Sequence, residues 1–313
     1  MTSVIAVLRP LRTEIFLVAG AALLIALAAG GVALRLFAFD IPDVCFSQTV
    51  FDAACVSRQI DLQSYSDFAA MWGGVVSIAV VVLPSGAGLI LGIAAVGKEL
   101  DQRTTVLAWS LSPSRRRWLL QRLAPLAVVV VLTGLEANLV VQAMFDLHRS
   151  GQVGLSFDLI PLLGLAPAVE GLSAFGIGLV VGAMLGRLLP ALLASVAFAI
   201  FGFMVVTQAN ERLMNGESII VEQAALGPEW YTSGKFLDQM VRLADGRIIS
   251  SDQVYPDYAD PNTGELLPGN TQLMRFVPIQ IYPEVAARFL VLQLVVAAMT
   301  LTLGVAVTDR RAP

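Results

Sequence analysis

The segment AAMWGGVVSIAVVVLPSGAGLILGIAAV, residues 69–96, runs for 28 residues without a charged side chain. A helix of about 20 apolar residues can cross the hydrocarbon core of a bilayer, so this segment predicts a membrane-spanning helix. Its apolar residues are continuous rather than alternating, which disfavours a strand of a membrane β-barrel. Pro84, which is followed by Ser85 and Gly86, is the predicted bend in this helix.

Five further apolar segments have comparable lengths, at residues 15–37, 123–144, 159–186, 188–208 and 285–307. The fourth of the six segments, residues 159–186, predicts a helix as long as the second, with bends at Pro161 and Pro167. Only 14% of the 313 residues are charged and 57% are apolar, whereas about 25% are charged in an ordinary soluble domain. The composition excludes a soluble enzyme as the default and predicts an all-α membrane protein with six transmembrane helices.

Positive charges are concentrated before the first span, in the segment 97–122, and at the carboxyl terminus. Acidic residues dominate the segments on the opposite side, so the positive-inside rule places both termini in the cytoplasm. An alternative reading makes Arg9, Arg12 and the following apolar residues a signal peptide cleaved near Ala28. We favour retention of this segment, because the apolar sequence continues beyond the candidate cleavage site.

Three regions follow from this topology. Residues 1–208 form helices 1–5 and include a cytoplasmic loop at 97–122, and residues 285–313 form helix 6 and a cytoplasmic tail. Residues 209–284 form a small mixed extracellular domain between helices 5 and 6. Within this domain the sequence MVRLADGRII predicts a β-hairpin that turns at Asp245 and Gly246.

The sequence lacks the residues that common catalytic and nucleotide-binding sites require. A phosphate-binding loop ends in Gly-Lys followed by serine or threonine, but the nearest candidate, Gly234-Lys235, is followed by Phe236. His148 is the single histidine, which excludes histidine-rich metal sites and a histidine-based catalytic triad. We therefore predict a chain that is not an enzyme and holds no metal or cofactor of its own.

Cys45 and Cys55 are the only cysteines, and both lie in the first predicted extracellular loop. An oxidising compartment would allow a disulfide between them. The alternative is a pair of buried free thiols.

Two carboxylates lie within predicted spans, which is costly unless they are protonated, paired or hydrated. Glu136 lies close to the middle of the third span with Asn138 beside it, and Glu170 follows Pro167 in the fourth. One reading makes Glu136, Asn138 and Glu170 the lining of a translocation path. The alternative is a set of interhelical hydrogen bonds that only stabilise packing.

The loop GKELDQRTTVLAWSLSPSRRRWLLQRL, residues 97–123, is richer in motifs than a simple connection needs. Residues 104–111 predict a short helix, which Pro113 ends before the basic run Arg115–Arg117. A rigid, basic and partly aromatic elbow is typical of a docking site for a cytoplasmic protein. The alternative is an interfacial helix whose arginines hold lipid headgroups.

This loop resembles the corresponding loop of the membrane subunits of type 2 ATP-binding-cassette (ABC) exporters, especially short actinobacterial permeases. The matching residues are Glu99, Thr104 or Thr105, Leu107-Ala108-Trp109-Ser110, Ser114-Arg115 and Arg117-Trp118. The similarity extends to GRLLPALLASVAFAIFGF between the fourth and fifth spans, to Pro278 and Gln293 around the start of the sixth, and to the arginine-tipped carboxyl terminus.

The resemblance implies a multi-pass permease in the bacterial plasma membrane, with two copies of a cytoplasmic ABC ATPase that bind ATP and Mg. It also implies a second permease subunit, either an identical or a related chain, surrounded by membrane lipids, and no nucleic-acid partner. The coupling residues would be Glu99, Arg103, Thr104, Thr105, Leu107, Trp109 and Arg115. Two other classes stay open: an ion-coupled secondary transporter that uses Glu136 and Glu170, and a nontransporting membrane scaffold or sensor.

Overall fold

The computed structural model describes residues 11–41, 45, 55, 58–101, 115–147, 157–223, 234–250, 258 and 266–310. Within these ranges, the side chains of residues 98–101, 115–117, 145–147 and 158–159 are not described. The described residues form two compact units. One comprises those within Met1–Gly151, Ile160–Val206 and Phe289–Pro313, and the other comprises those within Gln152–Leu159 and Thr207–Arg288.

The described residues contain six helical segments that are long and apolar enough to cross a membrane, as the sequence predicts. The α-helices are α1 (Arg12–Phe37), α2 (Gln59–Phe68), α3 (Gly74–Asp101), α4 (Arg115–Leu147), α5 (Ala166–Leu185), α6 (Leu188–Gly216) and α7 (Tyr282–Arg310). A π-helix at Ala69–Gly73 joins α2 to α3, so that these elements form one continuous span.

Two of the spans differ in length from the sequence prediction. The predicted 28-residue fourth helix is wrong, because α5 has only 20 residues and begins at Ala166. Pro161 lies instead in a short 3-10 helix, and Gly164 has a φ of +65°, a left-handed conformation that interrupts the helical backbone before α5 starts. The second span begins earlier than predicted, at Gln59, because α2 adds a more polar extension.

Helix α5 occupies the centre of the first unit. Fourteen of its twenty residues are buried, and α3 and α5 make the most extensive helix–helix contact among the described elements. Leu91, Leu126, Phe175 and Leu179 are among the fully buried side chains of the main apolar cluster, which joins α3, α4 and α5. A second cluster packs the other ends of α1, α3 and α4 around Tyr65.

The second unit contains an antiparallel sheet. Its described strands are β1 (Ile219–Glu222), β2 (Gly234–Arg242), β3 (Ile248–Ser250) and β4 (Thr271–Pro278), in the order β1-β4-β2-β3. The predicted hairpin is confirmed, since β2 pairs with β3 and the turn passes through Asp245 and Gly246. Gly246 has a φ of +87°, which favours glycine at this position.

The hairpin turn is held by a local ion pair. The Asp245 carboxylate accepts a hydrogen bond from the backbone N–H of Arg247 at 2.9 Å and another from its Nε at 2.7 Å. The backbone donor first, and then the guanidinium, lower the pKa of Asp245 below its usual value. Because the folded pKa is depressed, the contribution of this carboxylate to stability is present at neutral pH and is lost as pH falls through that lowered value.

Candidate functional site

Glycines allow the backbones of α3 and α5 to touch. A Cβ added at Gly88 would lie 2.2 Å from the carbonyl oxygen of Gly171, and one added at Gly92 would lie 2.3 Å from that of Phe175. On the opposite side of the interface, a Cβ at Gly178 would lie 2.7 Å from the carbonyl oxygen of Leu89. Small residues at a helix interface permit such close packing within a membrane, where apolar side chains gain little by leaving lipid.

Glu170 lies at one end of this interface and has a partner on α3. The Ser85 hydroxyl donates a hydrogen bond to Oε1 of Glu170 over 2.7 Å. Both side chains face a cavity of about 30 Å³ between α3, α5, α6 and α7, which we call the polar cavity. Its lining residues are Ser85, Glu170, Ser173, Ala174, Ile177, Ala199, Gly202, Phe203, Val206, Gln293 and Val296.

Gln293 contributes its side-chain amide to the polar cavity. The residue is only 2% exposed, and its side-chain amide makes no hydrogen bond with any residue that the structure describes. The Ser173 hydroxyl, in contrast, donates to the Val169 carbonyl oxygen at 3.0 Å and lies 3.4 Å from the main-chain oxygen of Gln293. An amide that lines a cavity and has no protein partner can hydrogen-bond to water or to a ligand there.

An apolar groove of about 420 Å³ lies between α5, α6 and α7. Its lining residues are Ile177, Val180, Val181, Met184, Leu185, Ala194, Phe198, Gly202, Val296, Thr300 and Leu303. Thr300 is the one polar residue among them, and its hydroxyl lies 2.9 Å from the carbonyl oxygen of Val296 within its own helix. The groove is therefore lined almost entirely by hydrocarbon.

Glu136 does not share this site. It lies on the face of α4 that also carries Leu132 and Leu139, which are 58% and 63% exposed. The opposite face of α4 packs on α5, where a Cβ added at Gly134 would lie 2.3 Å from the Cα of Ala168. Glu136 makes no hydrogen bond with the described residues, so the first unit presents its carboxyl group on an otherwise apolar face.

Asn138 anchors the connection that leads into α5. Its Oδ1 accepts a hydrogen bond from the backbone N–H of Gly164 at 2.7 Å and another from Nε2 of Gln142 at 3.3 Å. The residue is 9% exposed. Asn138 therefore holds the backbone before α5, and it is not among the residues that line the polar cavity with Glu170.

Glu170 stood out in the sequence as a candidate site residue, whereas Ser85, Ser173 and Gln293 had no predicted site role. Uncharged polar residues are common in membrane spans, so these three gave no signal comparable to that of a carboxylate. Their convergence depends on the packing of four helices. The sequence shows only that α3, α5 and α7 each carry one of these polar side chains, and it does not show that they meet.

The predicted coupling residues fall largely outside the described parts of the chain. Arg103, Thr104, Thr105, Leu107 and Trp109 lie in the undescribed segment 102–114. Glu99 lies within α3 and Arg115 begins α4, but neither side chain is described. The coupling role of these residues therefore stays a prediction.

Cys45 and Cys55 form a disulfide, with their Cα atoms 5.4 Å apart. Cys45 packs against the apolar cluster around Tyr65. The bridge therefore ties the segment after α1 to the segment before α2.

The six apolar spans and the polar cavity between them define a multi-pass membrane protein. The family model described as "ABC-2 membrane transporter related" matches residues 17–210, and the chain belongs to this family. Neither a curated protein nor a solved structure matches the chain. The matched region runs from α1 through most of α6 and includes the segment between α3 and α4.

Proposed function

We propose that the chain is the membrane-spanning permease subunit of an ABC exporter in the bacterial plasma membrane. A lipid, peptide or drug-like substrate would cross the membrane, driven by ATP hydrolysis in a separate ATPase subunit. The observation that carries this proposal is the family match over residues 17–210, because it includes the loop at 97–122 that resembles a coupling loop. ABC-2 permeases work in general with a partner ATPase.

The helix contacts support a mechanical role for that loop. Helix α3 leads into the loop and α4 leads out of it, and both pack on α5 through direct contact with its backbone at glycine positions. Packed elements of this kind move as rigid bodies rather than bend continuously. A displacement of the loop by a closing ATPase pair would therefore carry α3, α4 and α5 together.

The arrangement of subunits follows the family pattern. Two permease subunits, identical or related, would associate in the membrane with two ATPase copies on the cytoplasmic side. The basic residues of the loop at 97–122 favour the cytoplasm by the positive-inside rule, which also places residues 209–284 outside. ATP and Mg would bind to the ATPase, and this chain would supply Glu99 to Trp109 as the contact.

Purification of the full-length chain from its native membranes in a mild detergent tests this proposal. We expect an ABC ATPase to co-purify in stoichiometric amount and to hydrolyse ATP. The variant Trp109→Ala should insert normally but lose the ATPase or its stimulation by the permease. Trp72→Ala is the matched control, because Trp72 is 45% exposed on the π-helix and lies outside the loop.

Three outcomes would contradict the proposal. Unchanged ATPase stimulation in Trp109→Ala would remove the coupling role of the loop. Transport driven by a pH gradient in liposomes that contain this chain alone would favour a secondary transporter based on Glu136 and Glu170. A different stable partner in place of an ATPase would favour a scaffold or sensor.

A further inference from the structure

The apolar groove and the polar cavity are adjacent. They share three lining residues, Ile177 on α5, Gly202 on α6 and Val296 on α7. Gly202 leaves this junction open, because no atom lies within 4 Å of a Cβ added there. Side by side, they offer an apolar section of about 420 Å³ and a polar end of about 30 Å³.

The chemistry of the polar end favours a ligand that donates hydrogen bonds. Glu170 supplies carboxylate oxygens, and Ser85 donates to one of them. The amide of Gln293 adds both an acceptor and donors, and it has no partner among the described residues. The described lining residues include no lysine, arginine or histidine, so this part of the wall supplies no cation to neutralise a Glu170 carboxylate. Such a carboxylate within a membrane span is stabilised by an opposite charge or by water.

The size of the polar end limits the headgroup. About 10–15 Å³ is enough for one water molecule, so 30 Å³ admits a group as small as a primary ammonium. A phosphate would be too large and would face the Glu170 carboxylate with a like charge. The apolar section, in contrast, falls within the roughly 300–1,000 Å³ range of small-molecule sites and suits a hydrocarbon chain.

We propose that the groove and the polar cavity bind a membrane amphipath with a primary ammonium head and a hydrocarbon tail. The ammonium donates hydrogen bonds to Glu170 and to the amide oxygen of Gln293, while the tail lies between α5, α6 and α7. A second copy of the chain would cover the groove but would not fill the polar end, which lies between α3, α5, α6 and α7. This substrate class rests on the proposed function, since it names what the permease would move.

Photolabelling of the full-length chain in lipid nanodiscs tests the assignment. The probe is a long-chain primary alkylamine with a diazirine in its tail, and the comparison is the alcohol of the same chain length. We expect the amine to label groove residues such as Phe198 and Leu303, about tenfold more than the alcohol does. That factor is expected for one hydrogen bond between charged groups.

Three variants separate the two ends of the site. Gly202→Trp fills the junction and should abolish groove labelling. Gly20→Trp is its matched control, since a Cβ added at Gly20 also meets no atom within 4 Å but lies on α1. Glu170→Gln should reduce amine labelling to the level of the alcohol, and Gln293→Leu should lower it severalfold if Glu170→Gln does not fold.

Equal labelling by amine and alcohol, or labelling outside the groove, would overturn the assignment. Efficient cross-linking between copies through Phe198→Cys would also overturn it, because a second chain would then cover the groove. The labelling needs no ATPase. A chain that binds its ATPase but not the amine would refute this inference alone, and a chain that binds the amine but no ATPase would refute the proposed function alone.

Discussion

The Ser85 hydroxyl lies 2.7 Å from Oε1 of Glu170, and this hydrogen bond joins α3 to the central helix α5. It lies on the same interface as the close backbone contacts at Gly88 and Gly92. The span that leads into the predicted coupling loop is thus attached to the helix that carries Glu170. A change at either side chain is expected to affect both packing and the polar cavity.

Ser85→Ala removes the one side-chain donor that the described structure gives to Glu170. We expect a loss of about 0.5–1.5 kcal/mol in the free energy of unfolding, the usual net contribution of one hydrogen bond, because this bond is only partly buried. Thermal unfolding of the purified chain in detergent measures this loss. Ser77→Ala, an exposed serine on the same helix, is the control. Equal stability of the two variants would show that the bond contributes nothing.

Gly88→Ala should force α3 away from α5, because the new Cβ would meet the Gly171 carbonyl oxygen at 2.2 Å. Overpacking of this kind costs about 1–3 kcal/mol. Gly86→Ala on the same helix meets no atom within 4 Å and should leave the unfolding temperature unchanged or slightly raised. If both alanine variants unfold at the same temperature, α3 and α5 do not make a close backbone contact at Gly88.

Asn138→Ala should destabilise the connection before α5, since the Gly164 N–H loses its acceptor. The expected loss is about 1–3 kcal/mol, and Asn138→Gln should recover part of it, because an amide acceptor remains and no charge is added to the span. Limited proteolysis near residue 164 would report the local opening. A translocation role for Asn138 predicts the reverse pattern, with normal proteolysis and altered transport in both variants.

The Cys45–Cys55 disulfide closes a loop of ten residues and is expected to contribute about 2–3 kcal/mol. Alkylation of the unreduced, denatured chain should therefore find no free thiol. A reductant should lower the unfolding temperature of the native chain. The double variant Cys45→Ser, Cys55→Ser should be insensitive to the reductant, and two reactive thiols in the unreduced chain would contradict the bridge.

The membrane spans could be predicted because a long uncharged run has few alternatives in a chain of this composition. The start of the fourth span could not be predicted, because residues 159–165 are as apolar as the residues of a membrane-spanning helix. Their different backbone depends on Pro161, on the left-handed Gly164 and on the long-range contact from Asn138. The turn at Asp245 and Gly246 could be predicted, because a hairpin turn depends on residues that are adjacent in the sequence.

The candidate site could be predicted only in part. Glu170 stood out because a carboxyl group inside a span is costly, and the structure places it in the polar cavity. The same reasoning chose Glu136, which the structure places on a different face of the protein. Ser85 and Gln293 join the site only through the crossing of separate helices, and no pattern along the chain encodes that crossing.

Helix α5 also limits where motion in this protein can be observed. Backbone contact with α3 and α4 leaves no space for a reporter group, and a Cβ at Gly176 would already lie 2.3 Å from Oγ1 of Thr300. Spin labels or fluorophores therefore belong on exposed positions of α6 and α7, such as Phe201 and Met299. Distances measured from those positions would report the motion of α6 and α7 directly. Any motion of α5 would have to be inferred from them.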